Sequence, residues 1–185
     1  MKTKKGFTLI EMIIAITIVV IISIASYAPY NYYKNKAKLK NTASEISQIL
    51  SYSRNMAING MVGTDGNVSI GVFFDTANKN EVNIYSYPHD INQADISYLE
   101  NDDIKKIDTI YLDKGIEIND IEGKSNILFF FDAISGNLKY YTWNAGVRSE
   151  VVDSELQLHI SYKGSSSPNL NKYISYFTST NIIDY

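Results

Sequence analysis

Apolar residues run almost without a break from Phe7 to Ala28, then recur at spacings of three and four as far as Ala57. Beyond Gly60 they alternate every second residue in several short stretches. Each regime predicts an element. The first run of 22 residues makes about 33 Å of α-helix at 1.5 Å per residue, which matches a hydrocarbon core of about 30 Å. Its polar members are Thr8, Glu11, Thr17, Ser23, Ser26 and Tyr27. Most of these can bond back to their own helix or sit near an interface. Lys2, Lys4 and Lys5 lie just before the run, so the positive-inside rule keeps that end in the cytoplasm and exports the chain beyond Ala28.

An ordinary secretory signal would need a small-residue cleavage site after a shorter apolar core. This run is longer, and no A-x-A pattern follows it. A plain single-pass anchor is the simplest alternative, but it leaves two residues unexplained: Gly6 immediately before Phe7, and the lone carboxylate Glu11. A charge at that depth costs roughly 2.5–3.5 kcal/mol on insertion scales and marks a functional residue by default.

Pro29 interrupts the helical pattern first. It removes the bond to the carbonyl of Ala25 and is expected to kink or loosen the helix. A basic stretch follows at Lys34, Lys36, Lys38 and Lys40. The pattern then turns amphipathic, with Leu39, Ala43, Ile46, Leu50, Ser53 and Ala57 on one face, widened by Ile49 and Met56. Glu45, Gln48, Arg54 and Asn55 fall elsewhere. Asn59-Gly60 is the expected end, because glycine is favoured just past a helix C-terminus.

Gly63-Thr-Asp-Gly66 has turn chemistry. Val68, Ile70 and Val72 alternate with Ser69 and Gly71, which predicts a half-buried strand running into Phe73-Phe74. A turn at Asn78-Lys79-Asn80 leads to a second strand with Val82, Ile84 and Ser86 on one side and Tyr85 and Tyr87 on the other. Residues 88–106 are polar and irregular and predict a surface loop with a helical turn. Thr109 to Leu112 and Gly115 to Ile118 predict short strands around an Asp113-Lys114 turn. Ile127 to Phe131 is continuously apolar, as a central strand would be, and Ser135-Gly136-Asn137 turns it into a hairpin partner at Leu138 to Thr142. Leu156, Leu158, Ile160 and Tyr162 give the cleanest alternation. Gly164 to Pro168 is a loop, and Tyr173 to Phe177 is expected as the last strand. One long helix followed by antiparallel strands predicts an α+β fold with the helix on one face of the sheet.

Composition narrows the function. The chain has 185 residues and no cysteine, so neither a disulfide framework nor a thiolate metal site is possible. The formal net charge is −3, and nothing in that balance favours nucleic acid. Tyrosine is abundant at 15, which suits an exposed, hydrogen-bonding surface of strands and loops. His89 and His159 are the two histidines, and His159 is expected to face solvent beside Gln157. No His/Asp/Glu spacing supports zinc. Glu100, Asp102 and Asp103, and the pair Asp65/Asn67, could supply oxygen ligands to Ca²⁺, but neither matches an EF-hand loop, and a solvated loop is the plainer reading. No nucleophile elbow or phosphate loop is present. The sequence therefore predicts no enzyme, no catalytic residues, no metal site and no cofactor. The Lys34–Lys40 run reads as a solvated face, with charge complementarity between packed subunits or DNA contact as the alternatives. Arg148 and Lys163 are too sparse for a basic patch.

Gly6-Phe7-Thr8-Leu9-Ile10-Glu11 closely resembles the class III signal of type IV pilins and type II secretion pseudopilins. The resemblance implies that a prepilin peptidase cuts between Gly6 and Phe7 on the cytoplasmic side and methylates the new Phe7 amine. It further implies that Glu11 pairs with the Phe7 amine of a neighbouring subunit during assembly. On this reading residues 1–6 are the leader peptide, 7–28 the transmembrane and filament-core helix, 29–60 an amphipathic helix continuing into the head, and 61–185 a β-rich globular head. The partners implied are the prepilin peptidase, other pilin or pseudopilin subunits in a helical filament, a membrane assembly platform with its ATPase motor, and the lipid bilayer before assembly. The chain would sit first in the cytoplasmic (inner) membrane as a single-pass protein with its N-terminus cytoplasmic, and then in a pilus or pseudopilus, periplasmic or at the cell surface. Leu50-Ser-Tyr-Ser-Arg54-Asn-Met-Ala57, ahead of a strand at Val68–Val72, also resembles the minor pseudopilin branch. Many pilins carry a disulfide near the C-terminus, and this chain departs from them. Two functions fit: a structural subunit, with a minor role favoured, or a pilin-like tip module contacting DNA, a secreted substrate or a surface.

Overall fold

The computed structural model describes residues 6, 8–60, 67–92, 95–121, 126–144, 147–151, 155–165, 167–177 and 182–184. The first element is one α-helix, α1 (Leu9–Ile58), which continues through Pro29 without interruption. It ends where expected. Asn59 N donates to Asn55 O at 3.0 Å, and Gly60 follows at φ +60°, the left-handed conformation a helix terminus favours. The turn expected at Gly63 to Gly66 lies outside the described residues. The chain divides into two compact units, Met1–Ala37 and Lys38–Tyr185. In the first, every large apolar side chain from Leu9 to Ile24 is about half exposed or more. The helix is long and apolar enough to cross a membrane. Its hydroxyls bond back along it: Thr17 to the Ile13 carbonyl, Ser23 to Val19 and Ser26 to Ile22, at 2.7–2.8 Å. A lipid environment requires that internal satisfaction.

The second unit holds the head. Its strands are β1 (Val68–Asp75), β2 (Glu81–Pro88), β3 (Lys105–Tyr111), β4 (Ile116–Ile121), β5 (Asn126–Phe131), β6 (Leu138–Asn144), β7 (Val147–Val151), β8 (Glu155–Tyr162), β9 (Asn171–Phe177) and β10 (Ile182–Asp184). They form two antiparallel sheets rather than the single sheet expected. One has the order β3-β2-β1-β5-β6-β7 and the other β10-β9-β8-β4. β3 and β4 do flank the Asp113-Lys114 turn, but they do not pair. β3 joins β2 and β4 joins β8, so the chain changes sheets at that turn. The expected β5–β6 hairpin forms, with Phe131 opposite Leu138. β7 and β10 have no counterpart in the sequence reading. Both are short, and the periodicity of a five- or three-residue segment is too weak to declare itself.

The predicted helix stripe is buried to the last residue: Leu39, Ala43, Ile46, Ile49, Leu50, Ser53, Met56 and Ala57. It shares one core with Ile70, Val72 and Phe74 of β1, Ile127, Phe129 and Phe131 of β5, and Leu156, Leu158 and Ile160 of β8. The turn after β5 locks the helix end. Arg54 Nε donates to Gly136 O at 3.3 Å, and Ile134 N donates to Ala57 O at 3.1 Å. Ile134 holds φ +68°, a strained conformation for a β-branched residue. The helix contact stabilises it.

β1 is the largest departure from expectation. It is buried on both faces rather than one, because residues 95–104 do not form a free surface loop. Ile96 and Ile104 from that segment are buried in a second core with Phe73, Tyr85, Tyr87, Leu128, Phe130 and Tyr141 on the outer face of the larger sheet. Tyr98 stacks on Phe73 with centroids 4.4 Å apart, and Tyr87 Oη donates to Ser97 O at 2.5 Å. The tyrosines are accordingly split. Tyr85, Tyr87, Tyr140, Tyr141 and Tyr176 are buried, against the surface role that composition suggested. Gly71 makes the outer packing possible. A Cβ there would meet Tyr87 Cε2 at 2.6 Å and Leu128 Cδ1 at 2.8 Å.

Gly71→Ala is therefore expected to lower stability by about 1–3 kcal/mol through overpacking, read as a drop in thermal midpoint with exposure of residues 88–104 to proteolysis. An unchanged midpoint would contradict the close approach. Alkaline pH provides a second check. Burial, reinforced by the Glu150 carboxylate, pushes the Tyr141 phenol up to about 12. Burial, partly opposed by Arg54, does the same for Tyr176. In the unfolded chain these phenols ionise near 10, so the unfolded state loses protons first. Their contribution is complete below about pH 10 and is lost as pH rises towards about 12. Phenolate absorbance should show a late tyrosine class that merges with the early class once the protein is unfolded in urea.

Candidate functional site

Two of the sequence-predicted site residues, Gly6 and Glu11, are described at the start of α1. Gly6 is exposed. Phe7, expected as both a processing and an assembly residue, lies outside the described residues. Thr8 is the last non-helical residue before Leu9, which makes it the N-cap and Glu11 the third helical residue. The two bond reciprocally. Thr8 N donates to Glu11 Oε2 at 2.8 Å, Thr8 Oγ1 donates to the same oxygen at 2.7 Å, and Glu11 N donates to Thr8 Oγ1 at 3.3 Å. This is a capping box, which satisfies two of the amide donors that every helix start leaves open. The negative carboxylate also sits at the positive end of the helix dipole.

The sequence reading assigned Glu11 to assembly and missed this role. The signal was there: Thr8-x-x-Glu11 ahead of an apolar run is the capping-box pattern. The box changes the energetics of the site. Glu11 has two donors within its own chain, so its charge is partly compensated before any partner arrives. A second chain must offer something better than Thr8 to claim it.

Among the described residues, the other candidates do not assemble into a site. Glu100, Asp102 and Asp103 are exposed, and Asn101 Oδ1 closes their turn by accepting from Asp103 N and Ile104 N at 2.9 and 2.7 Å. Asp65 lies outside the described residues. No group of three or more His, Asp or Glu side chains is placed to hold a metal among the described residues. His159 does not face solvent freely. It stacks on Tyr173 with centroids 4.6 Å apart, and its Nε2 is buried. Arg148 lies over the Tyr141 ring at 4.8 Å, a cation–π contact, and Lys163 Nζ pairs with Glu117 Oε1 at 3.1 Å.

Residues 1–27 match the family model described as the prokaryotic N-terminal methylation motif. No curated protein and no solved structure gives a match to the chain. The N-terminal segment is thus a class III prepilin leader with the start of its helix, the arrangement characteristic of type IV pilins and pseudopilins. The long apolar helix packed on antiparallel sheets is the corresponding pilin-like α+β architecture. The motif supports a structural subunit of that kind, with processing by a prepilin peptidase, assembly with other subunits, and inner-membrane anchoring followed by incorporation into a pilus.

Thr8→Val keeps the shape of the cap residue and removes its oxygen. In detergent micelles, amide exchange at Glu11, whose N–H donates to the Thr8 hydroxyl, should accelerate about fivefold or more, corresponding to the roughly 1 kcal/mol that an N-cap contributes. Exchange in the middle of the span should not change. Equal exchange at Glu11 in the two proteins would remove the capping role.

Proposed function

We propose that the chain is a minor subunit of a type IV filament or a type II secretion pseudopilus, assembled through Glu11 after cleavage between Gly6 and Phe7. On this reading residues 1–6 are the discarded leader, 7–28 the membrane and filament-core segment, 29–60 the helix entering the head, and 61–185 the head. The observation that carries the proposal is a lone carboxylate one turn inside an apolar helix, held by Thr8 at the residue that follows the new N-terminus. Glu11 is the only acidic or basic side chain between Lys5 and Lys34, the tyrosines there staying neutral near pH 7. In lipid such a group needs a proton or a cation. Cleavage creates a cation, the methylated amine of Phe7, and a staggered neighbouring helix can bring that amine to Glu11. Axial register is then selected by whether the charges meet, the best-attested use of a buried polar group. The Thr8 bonds hold the carboxylate in place until the exchange.

Co-expression with a prepilin peptidase should shorten the chain by the six residues Met1 to Gly6 and leave a methylated Phe7, read by intact mass. Glu11→Gln should insert and be cleaved as well as the parent, yet fall about tenfold or more in sheared filaments, a change of about 1.4 kcal/mol in partitioning. Parental levels of Glu11→Gln in filaments would refute the pairing, and an uncleaved variant would move Glu11 from assembly to processing.

A further inference from the structure

At the end of the head where α1 enters it, the second compact unit carries a cleft of about 710 Å³ lined by Lys38, Lys79, Asn80, Lys114, Tyr162 and Lys163. Backbone bonds tie its walls together. Leu112 N donates to Asn80 O at 2.9 Å, Ile118 N to Lys79 O at 2.8 Å, and Lys163 N to Gly115 O at 2.7 Å. The same turn closes with Ile116 N donating to Asp113 O at 3.0 Å. The cleft is therefore set by three chain segments that hold one another, not by loose side chains. Four ammonium groups face two carboxylates, Asp113 and Glu117. Glu117 is engaged by Lys163 at 3.1 Å, which leaves Lys38, Lys79 and Lys114 around Asp113. Lys79 and Lys114 are exposed and Lys38 is half-buried.

We propose that this cleft seats the phosphate of an anionic lipid headgroup, so that the head docks on the bilayer its own helix spans. The inference rests on the membrane-spanning reading of residues 7–28 and not on assembly into a filament. The ligand chemistry follows from the lining: an excess of primary ammonium groups with the Asn80 amide suits a monoanionic phosphate.

The source follows from the chain. Lys38 lies ten residues beyond Ala28, about 15 Å along a helix at 1.5 Å per residue. Lys38, which lines the cleft, is therefore tethered within that length of chain from the headgroups. No acidic residue occurs between Glu11 and Glu45, while Lys34, Lys36, Lys38 and Lys40 do. A juxtamembrane basic segment of that kind is drawn to anionic lipid. Tyr27, Tyr30 and Tyr33 are exposed just before it, where aromatic side chains mark the membrane interface. The rest of the processed chain is net negative, since removing the three leader lysines takes the formal charge from −3 to near −6. An anionic surface would repel most of the head and attract this end, which gives docking a direction.

The test uses the full chain in nanodiscs of phosphatidylcholine alone or mixed with phosphatidylglycerol, and reads the rate of amine acylation at each lysine by mass spectrometry. At low salt, Lys38, Lys79 and Lys114 should react about threefold or more slowly in the anionic discs, and the difference should vanish when salt shortens the Debye length. Lys105 and Lys106, on β3, serve as internal references and should not change. The variant Lys79→Glu/Lys114→Glu alters two exposed positions, so circular dichroism should match the parent while protection of Lys38 is lost. Equal acylation in the two discs would overturn the proposal. Equal protection by inorganic phosphate in neutral discs would overturn the lipid as the source and leave a soluble-anion site in its place.

Discussion

One helix has to satisfy two solvents in succession. From Leu9 to Ile24 its large side chains are apolar on every side and exposed, a surface stable only in lipid or among other such helices. From Leu39 to Ala57 only one stripe is apolar, and that stripe is buried. The head depends on this change of pattern. The buried stripe supplies one wall of the main core, against residues drawn from both sheets. Without Leu39, Ile46 and Leu50, the core shared by β1, β5 and β8 would lose its helical wall, and a sheet face left uncovered there cannot close a core.

The second consequence concerns a head with no cysteine. Nothing covalent ties its long excursions to the sheet. Residues 95–104 are held instead by packing on the outer face of the larger sheet. Phe73, Tyr98 and Trp143 contact one another at centroid distances of 4.4–6.2 Å, and Tyr87 donates to Ser97. Aromatic side chains suit this work, because each contributes a large area with few rotamers to freeze. The larger sheet is thus sandwiched between two cores, with the helix on one side and a packed segment on the other.

At the other end of the chain, Thr8 and Glu11 show how a functional charge can also be a structural one. The carboxylate closes a helix that begins inside the membrane-spanning segment, where open amide donors are costly. The same oxygens are the ones an incoming amine would need. On the assembly proposed above, Glu11 would exchange its own cap for a neighbour's charge and so link helix capping to assembly.

The sequence alone was enough to establish the leader-like start, the span, the amphipathic stripe and the helix end at Gly60. All of these are local: a helical period, a run length and a capping residue are decided within a few turns of chain. The β5–β6 hairpin and the β8 alternation were legible for the same reason. Tertiary structure decided what the strands do with one another. The separation of β3 from β4 into different sheets, the burial of β1 on both faces and the inward turn of Tyr85, Tyr87 and Tyr141 all depend on partners dozens of residues away. An alternating strand with polar neighbours looks half-exposed until a distant segment covers it, and Ser69 and Gly71 look like solvent positions until Ala133 N bonds the Ser69 hydroxyl at 2.9 Å and Tyr87 fills the space over Gly71. Periodicity reports that a strand has two faces. Only the folded chain decides whether the second face meets water, because that depends on which remote side chains gain more from burial there than from solvent.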